Sequence, residues 1–207
     1  GPMRILVTND DGIDSEGIHE LTRALATTGH EIQVVAPSTD WSGAGAALGN
    51  LRPDAALGLH RAEIPDAADV QAWALDGPPA LCLVAGRLGA FGELPDLVVS
   101  GINAGANTGR SILHSGTVGA ALAGQNFGIS GLAVSVDAGD GQLLDSDRLR
   151  LTYAYIKDFE STEKSHGRLT ARYSGSAGWM RDWGAGWSSG RRRRGGLGLE
   201  QRRGARG

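Results

Sequence analysis

Apolar residues fall in short runs separated by polar turns. The first run is Arg4-Ile5-Leu6-Val7-Thr8, closed by Asn9-Asp10-Asp11-Gly12. A short, non-alternating run with β-branched residues is the pattern of a strand buried on both faces, as in a parallel sheet. From Ser15 to Thr28 the period changes. Ile18, Leu21 and Leu25 recur at helical spacing, Ser15 is placed to cap and Gly29 to stop the helix. Glu31 to Ala36 predicts a second strand, ended by Pro37. The three segments make one βαβ unit, a crossover that is right-handed almost without exception. Ser38 to Asp69, with Pro53 and Pro65, predicts loops or short hairpins. Beyond it, Gln71–Leu75 predicts a strand, Pro78–Leu88 a helix with proline at its start, and Pro95–Gly101 a buried strand. Thr117–Gln125 predicts a helix of small residues that must pack closely, and Gly131–Val136 another strand. Alternating strands and helices predict an α/β fold with a doubly wound, mostly parallel sheet. Past Val136 the pattern weakens. Asp145–Glu160 predicts a helix with Leu149, Tyr153 and Ile156 on one face, and nothing is placed from Ser161 onward.

Composition changes this picture at the C-terminus. The net charge of −3 divides unevenly: residues 1–187 carry 13 basic and 22 acidic groups, a net of −9, whereas residues 188–207 carry seven Arg and one Glu, a net of +6. The acidic bulk argues against a nucleic-acid-binding core and suits a protein that holds divalent cations. Residues 174–207 contain ten Gly, three Trp and the run Arg191–Arg194, a composition that resists compact folding. From about Ser161 the chain reads as a truncated, frameshifted or replaced segment. The competing reading is an Arg-rich arm that binds nucleic acid or another polyanion weakly and with strong salt dependence. One cysteine, Cys82, excludes an internal disulfide and a cysteine zinc cage. No run reaches the ~18 apolar residues of a membrane-spanning helix, and no signal peptide is visible, so a cytoplasmic location is expected. Gly1-Pro2 before Met3 reads as a protease-cleavage scar.

The candidate chemistry lies at strand ends, because open α/β sheets bind ligands beyond the carboxyl ends of their strands. Three such ends are rich in hard oxygen donors: Asn9-Asp10-Asp11-Gly12, Ser38-Thr39-Asp40-Trp41-Ser42-Gly43, and Ser100 to Asn107 with Asn103 between glycines. Carboxylate, hydroxyl and amide oxygens with few carboxylates suit Mg²⁺ or Mn²⁺. Each residue alone has a plainer role: Asp10-Asp11 as a solvated turn, Ser42 as a loop residue, Asn103 as a turn former. Their joint occurrence at three strand ends is what favours a site. A second group, His114-Ser115-Gly116-Thr117, opens the small-residue helix. A helix start offers unpaired N–H groups and a partial positive charge to a phosphate. Alone, Ser115 is a plain N-cap. A cation beside an anion cradle is equipment for phosphoryl hydrolysis.

These motifs resemble the SurE survival-protein family, metal-dependent 5′/3′-nucleotidases that are also acid phosphatases. The resemblance rests on ILVTNDDGI at 5–13, VVAPSTDWSG at 34–43, LVVSGINAGANTG at 97–109 and SGTVGAALAG at 115–124, and covers roughly residues 3–136. It implies a Rossmann-like α/β core and one divalent cation per subunit, Mg²⁺ or Mn²⁺. It places metal ligands on Asp10, Asp11, Ser42 and Asn103, with Asp10 and Asp11 also the catalytic pair. Phosphate contacts fall on Asn107, Ser115, Gly116 and Thr117, and Asn9 falls where it shapes the turn before the aspartates. The resemblance further implies a homodimer or homotetramer that exchanges C-terminal elements, with a nucleotide or other phosphomonoester as substrate.

The chain also departs from the family pattern. His114 stands where relatives carry tyrosine, and Asp40-Trp41 where they carry an arginine. With Asn9, residues Trp41 and His114 are the substrate-pocket candidates: Trp41 either as a surface on which a nucleobase or ring can stack or as a loop residue packed on the core, and His114 either as a replacement proton donor or as a packing or capping residue. The family's late histidine has no counterpart that can be aligned; His166 is the only histidine after His114, and the role is not transferred to it. The organisation expected is a site-bearing core at 3–136, a helical or extended extension at 137–173 and a Gly/Arg/Trp-rich tail at 174–207. The leading functional reading is a divalent-metal phosphomonoesterase for nucleoside monophosphates. The alternatives are a phosphatase specialised to a phosphorylated secondary metabolite and a catalytically weak phosphate-binding scaffold.

Overall fold

Strand β1 (Arg4–Thr8), helix α1 (Glu16–Ala26) and strand β2 (Glu31–Pro37) form the expected βαβ unit. The structure is a computed structural model, and it describes residues 1–49, 56–107, 109–137, 150–157 and 168–174. Next come β3 (Leu59–Ala62), β4 (Gln71–Leu75), α2 (Pro79–Arg87) and β5 (Leu97–Ala104). A 3₁₀ turn (Gly109–His114), α3 (Gly116–Gln125), β6 (Ser130–Asp137), β7 (Arg150–Lys157) and β8 (Arg168–Ser174) complete the order. The caps behave largely as the sequence predicts. Gly29 takes a positive φ of 76° just beyond α1, and proline opens α2. Ser15 is the N-cap of α1 but makes no side-chain capping bond. Its hydroxyl accepts instead from Asn9 Nδ2 at 2.7 Å.

The eight strands form one sheet in the order β3-β4-β2-β1-β5-β6-β7-β8. From β4 across β2, β1 and β5 to β6 the pairing is parallel, with Thr8 level with Ser100 across β1 and β5. The hairpin expected between 38 and 69 appears as β3, which pairs antiparallel with β4. Side chains alternate between two buried faces, which explains the continuous apolar runs. On one face Ile5, Val7, Val34 and Val99 pack with Ile18, Leu21 and Leu25 of α1. On the other, Leu6, Val35 and Val98 pack with Leu81, Cys82 and Leu83 of α2 and Ala123 of α3. The chain runs outward from β1 through β2 to β4, then returns to β5 on the opposite side of β1. The crevice between the carboxyl ends of β1 and β5 is therefore the point where strand order reverses, the favoured ligand position in such sheets.

One expected element is corrected. The spacing of Leu149, Tyr153 and Ile156 predicts a helix over Asp145–Glu160 with these residues on one face. Its described part, β7, is a strand antiparallel to β6, in register from Asp137–Arg150 to Gly131–Ile156. Leu151-Thr152-Tyr153-Ala154-Tyr155-Ile156 is rich in β-branched and aromatic residues, and the unpaired edge of β6 offers a full ladder of backbone hydrogen bonds. Ladder formation outweighs three apolar residues at helical spacing. The Arg-rich tail lies outside the described residues. No described helix is long and apolar enough to cross a membrane.

α3 packs as closely as its small residues imply. A Cβ on Gly131 of β6 would stand 2.3 Å from the carbonyl oxygen of Ala121, and one on Gly119 would stand 2.5 Å from the backbone of Gly45. Gly131→Ala therefore pushes α3 off the sheet. We expect it to lower unfolding free energy by about 1–3 kcal/mol, measured by denaturant titration against wild type.

Candidate functional site

The end of β1 is built as a rigid turn. Asn9 is fully buried, and its amide donates to the Gly12 carbonyl at 2.8 Å while its Oδ1 accepts from the Gly12 N–H at 3.2 Å. With the bond to Ser15, both polar atoms of Asn9 are committed inside the turn. Asn9 thus shapes the turn before the aspartates. Asp10 follows and is also buried, 3% exposed, whereas Asp11 is half-buried.

Two further strand ends close on this turn. After β2, the N–H of Trp41 donates to the Asp10 carbonyl at 2.7 Å. Asp40 accepts from both the N–H (2.7 Å) and the hydroxyl (2.6 Å) of Ser42. After β5, the backbone N–H of Ala104 donates to the Asp11 carboxylate. Asn103, half-buried, donates from its amide to the Gly105 carbonyl at 2.8 Å. Trp41 is half-buried with its indole N–H enclosed and unpartnered, and His114 is exposed at the end of the 3₁₀ turn.

α3 meets the same turn from the other side. Ser115 caps it, its hydroxyl accepting from the Val118 N–H at 3.1 Å. Gly116 lies directly on Asp10: a Cβ there would be 2.6 Å from Asp10 Cβ and 2.9 Å from Oδ2. The Thr117 hydroxyl donates to Asp10 Oδ1 at 2.5 Å. Asn107 donates from its amide to the Ser135 hydroxyl at 2.8 Å. The side chains of Asn107, Ser115 and Thr117 are thus engaged within the protein. The first-turn N–H groups of Gly116 and Thr117 have no acceptor within the helix.

The electrostatics favour a cation. Burial, the Asp10 carboxylate and the Asp40 carboxylate push Asp11 up from 3.8 to about 6, against the Ala104 N–H, which favours the ionised form. The Ser42 hydroxyl and N–H hold Asp40 below its ordinary value. Among the described residues no Lys or Arg pairs with these three carboxylates. Like charges without a basic partner among the described residues, with the Ser42 hydroxyl bonded to Asp40, offer hard oxygens of the kind that suit a divalent cation. No group of three or more His, Cys, Asp and Glu suited to a metal occurs among the described residues, so such a site draws on serine and asparagine as well. Cys82 is buried, its thiol pushed up to about 12, and it offers no nucleophile.

Sequence reasoning did not assign three groups that matter. Asp40 stood out as a departure, and its position two residues before Ser42 is the pattern of a side-chain-to-backbone turn. Ser135, partner of Asn107, is a polar residue inside the apolar run of β6. The Ala104 N–H left no trace, because every non-proline residue carries one.

The fold and this arrangement define a doubly wound α/β protein with an oxygen-donor centre at the β1/β5 crevice and a helix N-terminus over it. The family model described as "Survival protein SurE" matches residues 5–173, and the chain belongs to this family. The match includes β7 and nearly all of β8. Proteins named 5′-nucleotidase SurE are similar to it. That of Gloeobacter violaceus is 45% identical over 134 residues, covering 65% of this chain and 50% of the relative. That of Rhodopirellula baltica is 41% identical over 168 residues, covering 81% and 64%. The chain thus spans between half and two thirds of the length of these relatives. The crystal structure of the SurE protein from Aquifex aeolicus superposes with a TM-score of 0.52 at 26% identity, covering 85% of this chain and 84% of that one.

The raised value of Asp11 has a sign that can be measured. In the metal-free protein the folded chain holds the extra proton between 3.8 and about 6. This group's favourable contribution is complete below about 3.8 and is lost as pH rises through about 6. Asp11→Asn removes the penalty. In chelator, the variant should exceed wild type in stability at pH 8 by about 1–2 kcal/mol, allowing for solvent screening of a half-buried carboxylate. The difference should vanish near pH 4, as thermal melts at the two values will show.

Proposed function

We propose that the protein is a divalent-metal-dependent phosphomonoesterase that hydrolyses nucleoside monophosphates, acting as a 5′/3′-nucleotidase. The observation that carries this reading is the seating of α3 on Asp10, which sets a helix start against one carboxylate whose neighbour Asp11 feels its charge. The names of the relatives, 5′-nucleotidase SurE, supply the nucleotide.

In this reading Asp10 and Asp11, with Ser42 and Asn103, hold one Mg²⁺ or Mn²⁺ per subunit. When bound, the cation polarises a phosphoryl oxygen and lowers the pKa of a coordinated water. The N–H groups of Gly116 and Thr117 receive non-bridging phosphate oxygens, and the positive end of α3 stabilises the charge that redistributes in the transition state. Trp41 and His114 flank the approach, where the leaving nucleoside lies. Asp40 orients the Ser42 hydroxyl. Residues 3–136 form the site-bearing unit, and the protein works as a homodimer or homotetramer in the cytoplasm.

The test is hydrolysis of a panel of phosphomonoesters with Mn²⁺ or Mg²⁺, compared with chelator. Wild type should release phosphate from nucleoside monophosphates only with metal. Asp10→Ala and Asp11→Ala should each lose at least about 10³-fold in kcat/KM, equivalent to about 4 kcal/mol of transition-state stabilisation, while retaining a cooperative melt. Metal-dependent turnover persisting in both variants would remove these residues from the site.

A further inference from the structure

Thr117 has no exposed surface. Its hydroxyl lies 2.5 Å from Asp10 Oδ1, so it reaches a phosphate only by giving up that bond. The geometry leaves Asp10 little freedom. Oδ1 accepts from Thr117, Oδ2 and Cβ abut the bare Cα of Gly116, and the main-chain carbonyl accepts from Trp41. A threonine suits this role because its branched Cβ restricts χ1, which aims the hydroxyl. A carboxylate that must present an oxygen to a cation gains most from a donor that fixes its rotation, and loss of such a partner characteristically weakens metal binding about 10–100-fold.

We propose that Thr117 is a positioning residue for Asp10 and that its side chain is not a phosphate contact. The α3 N-terminus then serves two ligands by separate means. Its backbone N–H groups serve the anion, and its first threonine hydroxyl serves the cation by holding Asp10. This inference rests on the reading of Asp10 as a metal ligand, and the test separates the two.

The 207-residue wild type, Thr117→Val, Thr117→Ser and Thr117→Ala are titrated calorimetrically with Mn²⁺. The same proteins in chelator are titrated with inorganic phosphate and followed by ³¹P NMR. Valine keeps the branched shape without the donor, serine keeps the donor, and alanine removes it with the least steric demand should valine prevent folding. The expected result is a Kd for Mn²⁺ raised about 10–100-fold in the valine and alanine variants and largely recovered by serine. Phosphate affinity should stay within about twofold throughout. Unchanged Mn²⁺ affinity in the valine and alanine variants overturns the inference, as does a loss confined to phosphate. If no protein binds phosphate without metal, the Mn²⁺ series decides alone. Wild type that binds no Mn²⁺ removes the metal site itself and, with it, both readings.

Discussion

The contact between the first turn of α3 and the Asp10 carboxylate fixes everything around the crevice. It joins two segments 107 positions apart in sequence, and it does so at the one place where the sheet leaves room. Because β1 and β5 connect outward in opposite directions, no crossover covers the gap between their carboxyl ends. α3 fills the far side of that gap, and the loop after β2 ties itself to the Asp10 carbonyl from the near side. Three segments far apart in sequence thereby meet at one residue, and Asp10 is both buried and held.

Burial of Asp10 has an electrostatic consequence that separates this site from ordinary turn aspartates. A solvated Asp-Asp turn would relax by moving its carboxylates apart into water. Here Asp10 is pinned by Thr117, Asp11 is drawn to the Ala104 N–H, and Asp40 is held by Ser42. Each local bond satisfies one carboxylate, while burial first, and then the Asp10 and Asp40 charges, push Asp11 up to about 6. The metal-free fold tolerates that repulsion because the core beneath it is extensive: every residue of β1 after Arg4 is buried. Folding energy drawn from the two sheet faces thus sustains a local arrangement that is electrostatically unfavourable on its own.

How much of this was legible in the sequence follows from what each pattern encodes. The run at 4–8, the α1 stripe of Ile18, Leu21 and Leu25, and the proline at the start of α2 speak through hydrophobic period and caps, and they placed the parallel half of the sheet. β7 was misread because Leu149, Tyr153 and Ile156 share a helical spacing, while the deciding factor, an open edge on β6, belongs to another part of the chain. At the site, the oxygen-bearing residues were legible as residue types at strand ends. Their orientation was not. Ser15 stands at the N-cap of α1 as the sequence predicts, but its hydroxyl accepts from Asn9 rather than from the helix, and the Thr117 hydroxyl donates to Asp10. Composition names the donors, but only the packing of α3 decides which acceptor each one reaches.

That packing depends on the bareness of α3. Gly116 admits the Asp10 side chain, Gly119 admits the backbone at Gly45, Gly124 lies 2.9 Å, at its missing Cβ, from the Ile129 carbonyl, and Ala121 admits Gly131 of β6. A helix with ordinary side chains at these positions would stand farther from the sheet, beyond the reach of a short threonine hydroxyl. Glycine lowers intrinsic helix stability by roughly 1 kcal/mol per residue relative to alanine, so the tertiary contacts it permits must offset that cost. The closest of these approaches, at Gly116, Gly119 and Gly131, bear on Asp10, on the loop after β2 and on β6. Small residues in α3 therefore set the distance from helix to carboxylate, and that distance sets whether anion and cation donors face a common space.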